Sequence, residues 1–279
     1  MVFGFAFDFT LTVSAMPPEY EESFIRRLEI MWGEGFLSPG GADEVGAILG
    51  NEDLFGAQVL DIGSGAGGAA LLLAREYAAR GVIGVDIVPE LVERSRRLCD
   101  AAGMSQRVSF ELVVPGPLPF VADSIDVIFT KDSLLHFPDK VAIFQEIFRV
   151  LRPGGRFLGS DWLAGKNIAQ CQAWSNFLEL RRPSFVMVNV ETMVQTMGEA
   201  GFVDVTAVDR TSWFTEAAQR DVEAVEGPQR ASLQELLGET EYGIWVAVRH
   251  AIAEAAAFGA LRPTHLRGRK PVNVDVDQS

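Results

Sequence analysis

The sequence has few cysteines, a deficit of basic residues and no apolar run long enough for a membrane span. Two cysteines, Cys99 and Cys171, are too few for a disulfide framework. Lys and Arg total 24 against 38 Asp and Glu, and the net charge of −14 disfavours general binding to nucleic acid or an anionic membrane. The apolar N-terminus contains Asp8 and no basic residue before Arg26, unlike a signal peptide. We therefore expect a cytoplasmic protein.

The middle of the chain alternates short strand-like runs with helical patterns. Five strands are predicted at residues 59–62, 82–86, 108–112, 125–129 and 156–160. Such alternation is typical of βαβ units and predicts an α/β fold with a doubly wound, mostly parallel sheet. After residue 164 long helical segments interrupt the alternation, and they predict a helical cap over the sheet.

Four regions follow from this pattern. We expect an N-terminal extension and helical cap over 1–50 and a Rossmann-like core over 51–163. Cap helices with the remaining core helix and strands would occupy 164–265, and a flexible tail 266–279. Pro263 is awkward in a final central strand, because proline cannot donate a ladder hydrogen bond.

A glycine-rich loop follows the first predicted strand. Gly63, Gly65 and Gly68 fit G-x-G-x-x-G, which a dinucleotide site also uses. Asp61, just before the first glycine, would repel a pyrophosphate and attract the cationic S-adenosyl-L-methionine (SAM). Asp86, at the end of the second strand, has the chemistry to accept both ribose hydroxyls. A carboxylate that caps its own loop remains the alternative for Asp61.

Longer motifs support the SAM interpretation. With the segment LRPGG at 151–155, the loop and its acids resemble class I SAM-dependent methyltransferases. A closer resemblance, to phosphoethanolamine N-methyltransferases, is carried by WGEGFLSPGG at 32–41, VLDIGSG at 59–65 and FTKDSLLH at 129–136. This resemblance implies a Rossmann-like fold and methyl transfer to a small molecule. It also implies that Tyr20 and His136 form a latch over the pocket.

The same resemblance places Asp132 near the acceptor nitrogen and Ser38, Ile87 and Lys131 among the cofactor contacts. The residue chemistry agrees with it. Asp132 and His136 are four residues apart and would share a face if this segment is helical. His136 could take a proton from an ammonium near neutral pH, and Asp132 could hold the cation. A buried, hydrogen-bonded histidine remains the alternative for His136.

The chain departs from that family where the acceptor's phosphate is bound. The positions matched to two family tyrosines and to the basic anchors carry Leu28, Trp162, Pro183 and apolar residues around Val246. Arg181 and Arg182 could instead grip a carboxylate, or they lie at a solvated helix end. Of the tryptophans we select Trp162, after the fifth strand, as an aromatic wall for a cationic product. The histidines show no metal-ligand spacing, so we expect no metal.

Two acceptor chemistries stay open. The missing phosphate anchors favour S-methylation of methionine, because a thioether has no proton to lose and needs only in-line approach. Methionine S-methyltransferases of bacterial dimethylsulfoniopropionate synthesis resemble this fold. The alternative is N-methylation of phosphoethanolamine or an amino acid, with His136 as the base. A non-catalytic SAM-binding protein or an NAD-type Rossmann protein is a different class, and the sequence assigns no oligomeric state.

Overall fold

The computed structural model describes residues 22–272. Its strands are β1 (Gln58–Ile62), β2 (Gly81–Asp86), β3 (Val108–Leu112), β4 (Ile125–Lys131), β5 (Leu151–Ala164), β6 (Val203–Asp209) and β7 (Leu261–Arg269). Its α-helices are α1 (Glu22–Trp32), α2 (Gly41–Leu49), α3 (Gly68–Arg75), α4 (Pro89–Ala101), α5 (Lys140–Val150), α6 (Gln172–Arg181), α7 (Val190–Glu199), α8 (Thr211–Glu226) and α9 (Arg230–Phe258). Short 3₁₀ turns cover Leu134–His136 and Ile168–Gln170.

The seven strands form one sheet in the order β3-β2-β1-β4-β5-β7-β6. The pairs from β3 through β5 are parallel, whereas β7 runs antiparallel to both of its neighbours. The predicted doubly wound, mostly parallel α/β fold is therefore confirmed. The strand order reverses between β1 and β4, so the crevice at their carboxyl ends is where such sheets bind ligands.

Apolar residues cover both faces of the central strands, as buried parallel strands require. Val59 and Val127 belong to the core on one face, and Leu60 and Ile128 to the core on the other. A third apolar cluster joins α1, α6, α8 and α9 to the end of β5 and contains Trp162, Phe214 and Trp245. This third cluster forms the cap beside the carboxyl ends of the strands.

The end of the chain differs from the expected tail at 266–279. Strand β7 continues to Arg269, and Leu266 in its middle is fully buried. Arg267 donates to the carbonyl oxygen of Ile48 and so packs against the core. Pro263 is tolerated in β7 because its carbonyl oxygen, which accepts from the N–H of Arg210, points toward β6. Its missing N–H would point the same way, and the paired part of β6 has already ended at Asp209, so no hydrogen bond between the strands is lost.

One of the long helical segments expected after residue 164 spans about 216–257 in the sequence pattern. In the structure this region contains two helices, α8 and α9, and α9 is kinked at Gly238. Within the described part of the chain, none of the helices combines the length and apolar character that a membrane span needs.

Candidate active site

The glycine loop after β1 has a backbone that side chains would strain. Gly63 and Gly65 have φ values of +70° and +54°, in the left-handed region that glycine adopts at no steric cost. A Cβ on Gly63 would lie 1.9 Å from Ser133 Oγ. The loop therefore packs directly against the segment that follows β4, and it brings the ends of β1 and β4 into one site.

Asp61 is a buried carboxylate without a full set of partners. Its side chain is 1% exposed, and Oδ2 has no hydrogen-bond partner among residues 22–272. Burial, reinforced by the neighbouring Asp86 carboxylate, raises the pKa of Asp61 to about 7. The loop-capping alternative leaves this oxygen unexplained. A cationic group at the same edge would neutralise it, which fits the ammonium of SAM.

Asp86 is held in place by two backbone groups. Gly65 N–H donates to its Oδ2 at 2.9 Å and Val88 N–H donates to its Oδ1 at 3.0 Å. Burial raises the pKa of Asp86, and these hydrogen bonds oppose the rise. Each oxygen keeps a lone pair for a ribose hydroxyl. Ile87 follows Asp86 and is 56% exposed, and Leu112, the cross-strand partner of Asp86, is 50% exposed. An apolar surface therefore lies beside the carboxylate.

Lys131 ties the N-terminal cap to the end of β4. Its Nζ donates to Ser38 Oγ, to the carbonyl oxygen of Pro39 at 3.0 Å and to Asp132 Oδ2 at 2.9 Å. The structure therefore brings together Ser38 and Lys131, which the family resemblance assigned to one cofactor site. Their contact with the cofactor itself stays a prediction.

Asp132 is oriented by β5. Ser160 Oγ donates to Asp132 Oδ1 at 2.9 Å, and the N–H of Asp132 donates to the carbonyl oxygen of Ser160. Asp132 has a φ of +52°, and a 3₁₀ turn begins only at Leu134. The condition for a shared helical face of Asp132 and His136 is therefore not met, because the strand ends in a left-handed turn at Asp132.

His136 lies at the end of that 3₁₀ turn. Its ring meets Phe185 edge-on, with the ring centroids 5.1 Å apart. Burial, and then the charge of Lys140, lowers the pKa of His136, so the surroundings favour the neutral ring. Tyr20, the other half of the predicted latch, lies outside the described residues.

A small cavity opens beside Asp132. It is lined by Pro39, Glu44, Asp132, Ser160, Trp162, Trp213, Phe214, Pro263, Thr264 and His265. Trp162 packs edge-on against Phe214, with centroids 5.0 Å apart, and lines this cavity. Its contact with a cationic product stays a prediction. Carboxylates with aromatic walls are suited to a cationic nitrogen. We call this space the acceptor cavity.

Sequence reasoning missed the pair Glu44 and His265 in the acceptor cavity. His265 Nε2 and Glu44 Oε1 are 2.6 Å apart, and Arg210 Nη2 donates to Glu44 Oε2 at 2.8 Å. Both members of the pair are buried. They are 221 residues apart in the chain, so no local spacing could have revealed them.

Three arginines meet in the cap, one each from α1, α6 and α9: Arg27, Arg181 and Arg249. We call them the arginine cluster. The guanidinium carbons of Arg27 and Arg249 lie 4.6 Å and 4.1 Å from the ring centre of Trp245. Both side chains are buried, and the Nε atom of each has no hydrogen-bond partner among residues 22–272. Arg181 lies over the ring of Phe24 at 4.6 Å.

The charges of the arginine cluster repel one another. Burial, followed by Arg181 and Arg249, lowers the pKa of Arg27 to about 10. Burial also lowers the pKa of Arg249 to about 10, and Arg181 adds to this while Asp221 opposes it. Such donors would bind an anion strongly. The predicted pair of arginines is split, because Arg182 ends α6 in a left-handed conformation and is exposed.

The fold and this site define a class I, Rossmann-like methyltransferase. Residues 55–218, more than half of the chain, match a family model described as a methyltransferase domain, and the chain belongs to that family. The 27-O-demethylrifamycin SV methyltransferase of Amycolatopsis mediterranei is 30% identical over 222 residues, which cover 77% of this chain and 78% of that protein. Membership confirms the predicted class, a SAM-dependent methyltransferase, over an NAD-type protein.

Phosphoethanolamine N-methyltransferases are among the relatives. Phosphoethanolamine N-methyltransferase 1 of Arabidopsis thaliana is 32% identical over 209 residues, which cover 75% of this chain and 41% of that protein. The chain thus spans less than half the length of this relative. The Haemonchus contortus phosphoethanolamine N-methyltransferase 2 complexed with phosphomonomethylethanolamine and S-adenosylhomocysteine has the same fold, with a TM-score of 0.84 and 24% identity over 91% of this chain and 58% of that one.

No cluster of His, Cys, Asp or Glu able to hold a metal ion occurs within residues 22–272.

Proposed function

We propose that the protein transfers the methyl group of SAM to the nitrogen of a small amine that carries an anionic group, with phosphoethanolamine as the first candidate. The acceptor cavity is the observation that carries this proposal. Its carboxylates, Glu44 and Asp132, and its aromatic wall, which includes Trp162, match a cationic nitrogen. The names of the relatives support the same class of acceptor.

The residues at the ends of β1 and β2 fit the donor. The orphaned Oδ2 of Asp61 would accept from the ammonium, and Asp86 would accept from the ribose. Exposed Ile87 would cover the face of a ring. SAM, when bound, supplies a methyl group activated by its positive sulfur. The task of the protein is then to hold the acceptor in line with that methyl group and to exclude water.

Asp132 is the residue most directly suited to hold the acceptor nitrogen. Lys131 and Ser160 fix one oxygen each, so the carboxylate enters the reaction already oriented. Such preorganisation lowers the cost of positioning the substrate. His136, with Tyr20, is kept as the proposed latch over the pocket.

The arginine cluster supplies positive charge for the anionic end of the acceptor. The preference for methionine rested on the absence of phosphate anchors at the matched positions. Arg27, Arg181 and Arg249 remove that reason, because basic groups reach the cap from other positions. Methionine also carries an anionic carboxylate, so it is retained as the competing acceptor in the assay.

Turnover by the purified full chain tests the proposal. The protein is incubated with SAM and phosphoethanolamine, ethanolamine or methionine, and methylated products and S-adenosylhomocysteine are measured by mass spectrometry. We expect N-methylated product from phosphoethanolamine and much less from ethanolamine, which lacks the anion. Product from methionine alone would overturn the amine assignment in favour of S-methylation. The Asp132→Asn variant, which keeps the side-chain shape, should lose most of the turnover.

A further inference from the structure

The two histidines near the acceptor side occupy different positions. His265 lines the acceptor cavity together with Asp132 and Trp162. His136 instead packs against Phe185 and is absent from that lining. A base must lie within hydrogen-bond reach of the proton that it removes. Position alone therefore favours His265 over His136 as the group that meets an amine in this cavity.

A carboxylate orients the His265 ring. Glu44 Oε1 lies 2.6 Å from Nε2 of His265. Because an ionised carboxylate can only accept, the imidazole hydrogen is assigned to Nε2, and Nδ1 carries the free lone pair. Nδ1 forms no hydrogen bond with a residue between 22 and 272. The carboxylate would also stabilise the imidazolium that forms when Nδ1 takes up a proton, as carboxylates do in His-dependent active sites.

His265 also lies beside the group that orients Asp132. His265 and Ser160 are direct partners in the antiparallel β5–β7 register, so their side chains project from the same face of the sheet. Ser160 Oγ donates to Asp132 Oδ1. The register therefore fixes His265 and Asp132 on either side of one serine, at the same cavity.

We propose that His265, oriented by Glu44, accepts the proton of the amine in the acceptor cavity. This inference rests on the proposed amine acceptor. The ammonium N–H transfers its proton to Nδ1 of His265, and the freed nitrogen lone pair attacks the methyl carbon. The N–C bond forms as the C–S bond of the donor breaks, with the electron pair going to sulfur. The proton leaves to solvent from the imidazolium.

The charges around His265 are consistent with this role. Glu44 faces it from α2, and Arg210, before α8, pairs with the other oxygen of Glu44. Asp132 and Lys131 lie at the end of β4, and Lys131 is already paired with Asp132. His265 therefore lies beside the Glu44 carboxylate, and Ser160 stands between it and Asp132. The basic groups Arg210 and Lys131 are each paired with a carboxylate.

The test compares three histidine variants of the full chain. His265→Gln keeps an N–H for Glu44, and His136→Gln removes the latch histidine. His250→Gln is the matched control, since His250 forms an exposed pair with Glu226 at 3.1 Å. Turnover of phosphoethanolamine is measured from pH 6 to pH 10.5, and SAM binding and thermal unfolding are measured for each variant.

We expect His265→Gln to lower kcat about 100-fold or more at pH 7, the usual effect of losing a general base, with SAM binding unchanged. Its activity should recover as the pH approaches the amine's own pKa of about 10, because the amine then needs no base. A structural role would not produce this recovery. His250→Gln should behave like the wild type. His136→Gln should keep the acidic limb of the pH profile, which is the fall in kcat toward low pH.

Either of two results with the histidine variants would overturn the inference. One is full kcat with an unchanged acidic limb in His265→Gln, and the other is loss of that limb in His136→Gln alone. If His265→Gln does not fold, Glu44→Gln replaces it, and an acidic limb that fails to move to lower pH counts against the role. If the wild type methylates no amine, the proposed function fails first, and this inference fails with it. Amine turnover that is independent of His265 refutes the inference alone.

Discussion

Replacing Asp61 by Asn should stabilise the cofactor-free protein and weaken SAM binding at the same time. Asp61 is buried, and the neighbouring Asp86 carboxylate adds to the effect of burial on its pKa. Ionised Asp61 is therefore unfavourable in the folded protein without a cation beside it. Asparagine has nearly the same shape but no charge, so the substitution removes the unfavourable term and also removes the partner for the ammonium of SAM.

The size of the effect follows from the pKa. The pKa of Asp61 rises from 3.8 to about 7 on folding. Each pKa unit corresponds to about 1.36 kcal/mol, so ionised Asp61 costs about 4 kcal/mol in the folded state above pH 7. The folded state binds more protons than the unfolded state between these two values, so the free energy of unfolding falls as the pH rises from about 4 to about 7. The variant lacks that fall.

Urea unfolding at pH 5 and pH 8, with calorimetry of SAM binding, measures both effects. We expect Asp61→Asn to have a higher free energy of unfolding than the wild type at pH 8, by up to about 4 kcal/mol, and a smaller advantage at pH 5. SAM affinity should fall at least tenfold, since a charged hydrogen bond contributes about 1.5–3 kcal/mol. The exposed Asp43 provides the control Asp43→Asn. A variant less stable than the wild type at pH 8 would refute the reasoning.

Three further predictions concern the rest of the site. Asp86→Ala should weaken SAM binding by calorimetry about tenfold or more, and an unchanged affinity would remove the ribose assignment. Gly63→Ala should lower the midpoint of thermal unfolding more than Gly56→Ala. Both glycines have a positive φ, but a Cβ on Gly63 would lie 1.9 Å from Ser133 Oγ, whereas a Cβ on Gly56 would meet no atom within 4 Å. Arg249→Gln should raise the KM for phosphoethanolamine about tenfold or more with little change in kcat. The exposed Arg220→Gln is its control, and an equal KM in both variants would exclude the arginine cluster from acceptor binding.

The sheet was predictable because each central strand has its own short apolar run in the sequence. The predicted strand at 108–112 matches β3, and the other four predictions lie within the observed strands. Parallel strands that are buried on both faces have short apolar runs, which a single sequence displays. The end of β7 was not predictable in this way, because Arg267 and Arg269 look like an exposed tail. Their guanidiniums bond to Ile48 and Asp204, partners that only the folded chain supplies.

The two proposed halves of the site differ in how local their residues are in the sequence. The proposed donor half depends on Asp61, the glycine loop and Asp86, which belong to one βαβ unit and are close in sequence. The proposed acceptor half depends on side chains from distant segments. Glu44 and His265 are in contact although 221 positions separate them in the sequence. Arg27 and Arg249 come from the first and last described helices of the cap. Their side chains meet only because α1 and α9 pack together.

The net charge of a chain says little about a binding site whose charges are buried. The chain carries a net charge of −14, yet its most isolated charges in the cap are positive. Exposed carboxylates interact weakly through water and salt, so they set solubility and long-range repulsion. Arg27 and Arg249 lie in a dry environment beside Trp245, where an uncompensated charge is costly and an incoming anion is bound strongly. Under the proposed function, these few buried charges would bind the anionic end of the acceptor, and the net charge of the chain carries no information about them.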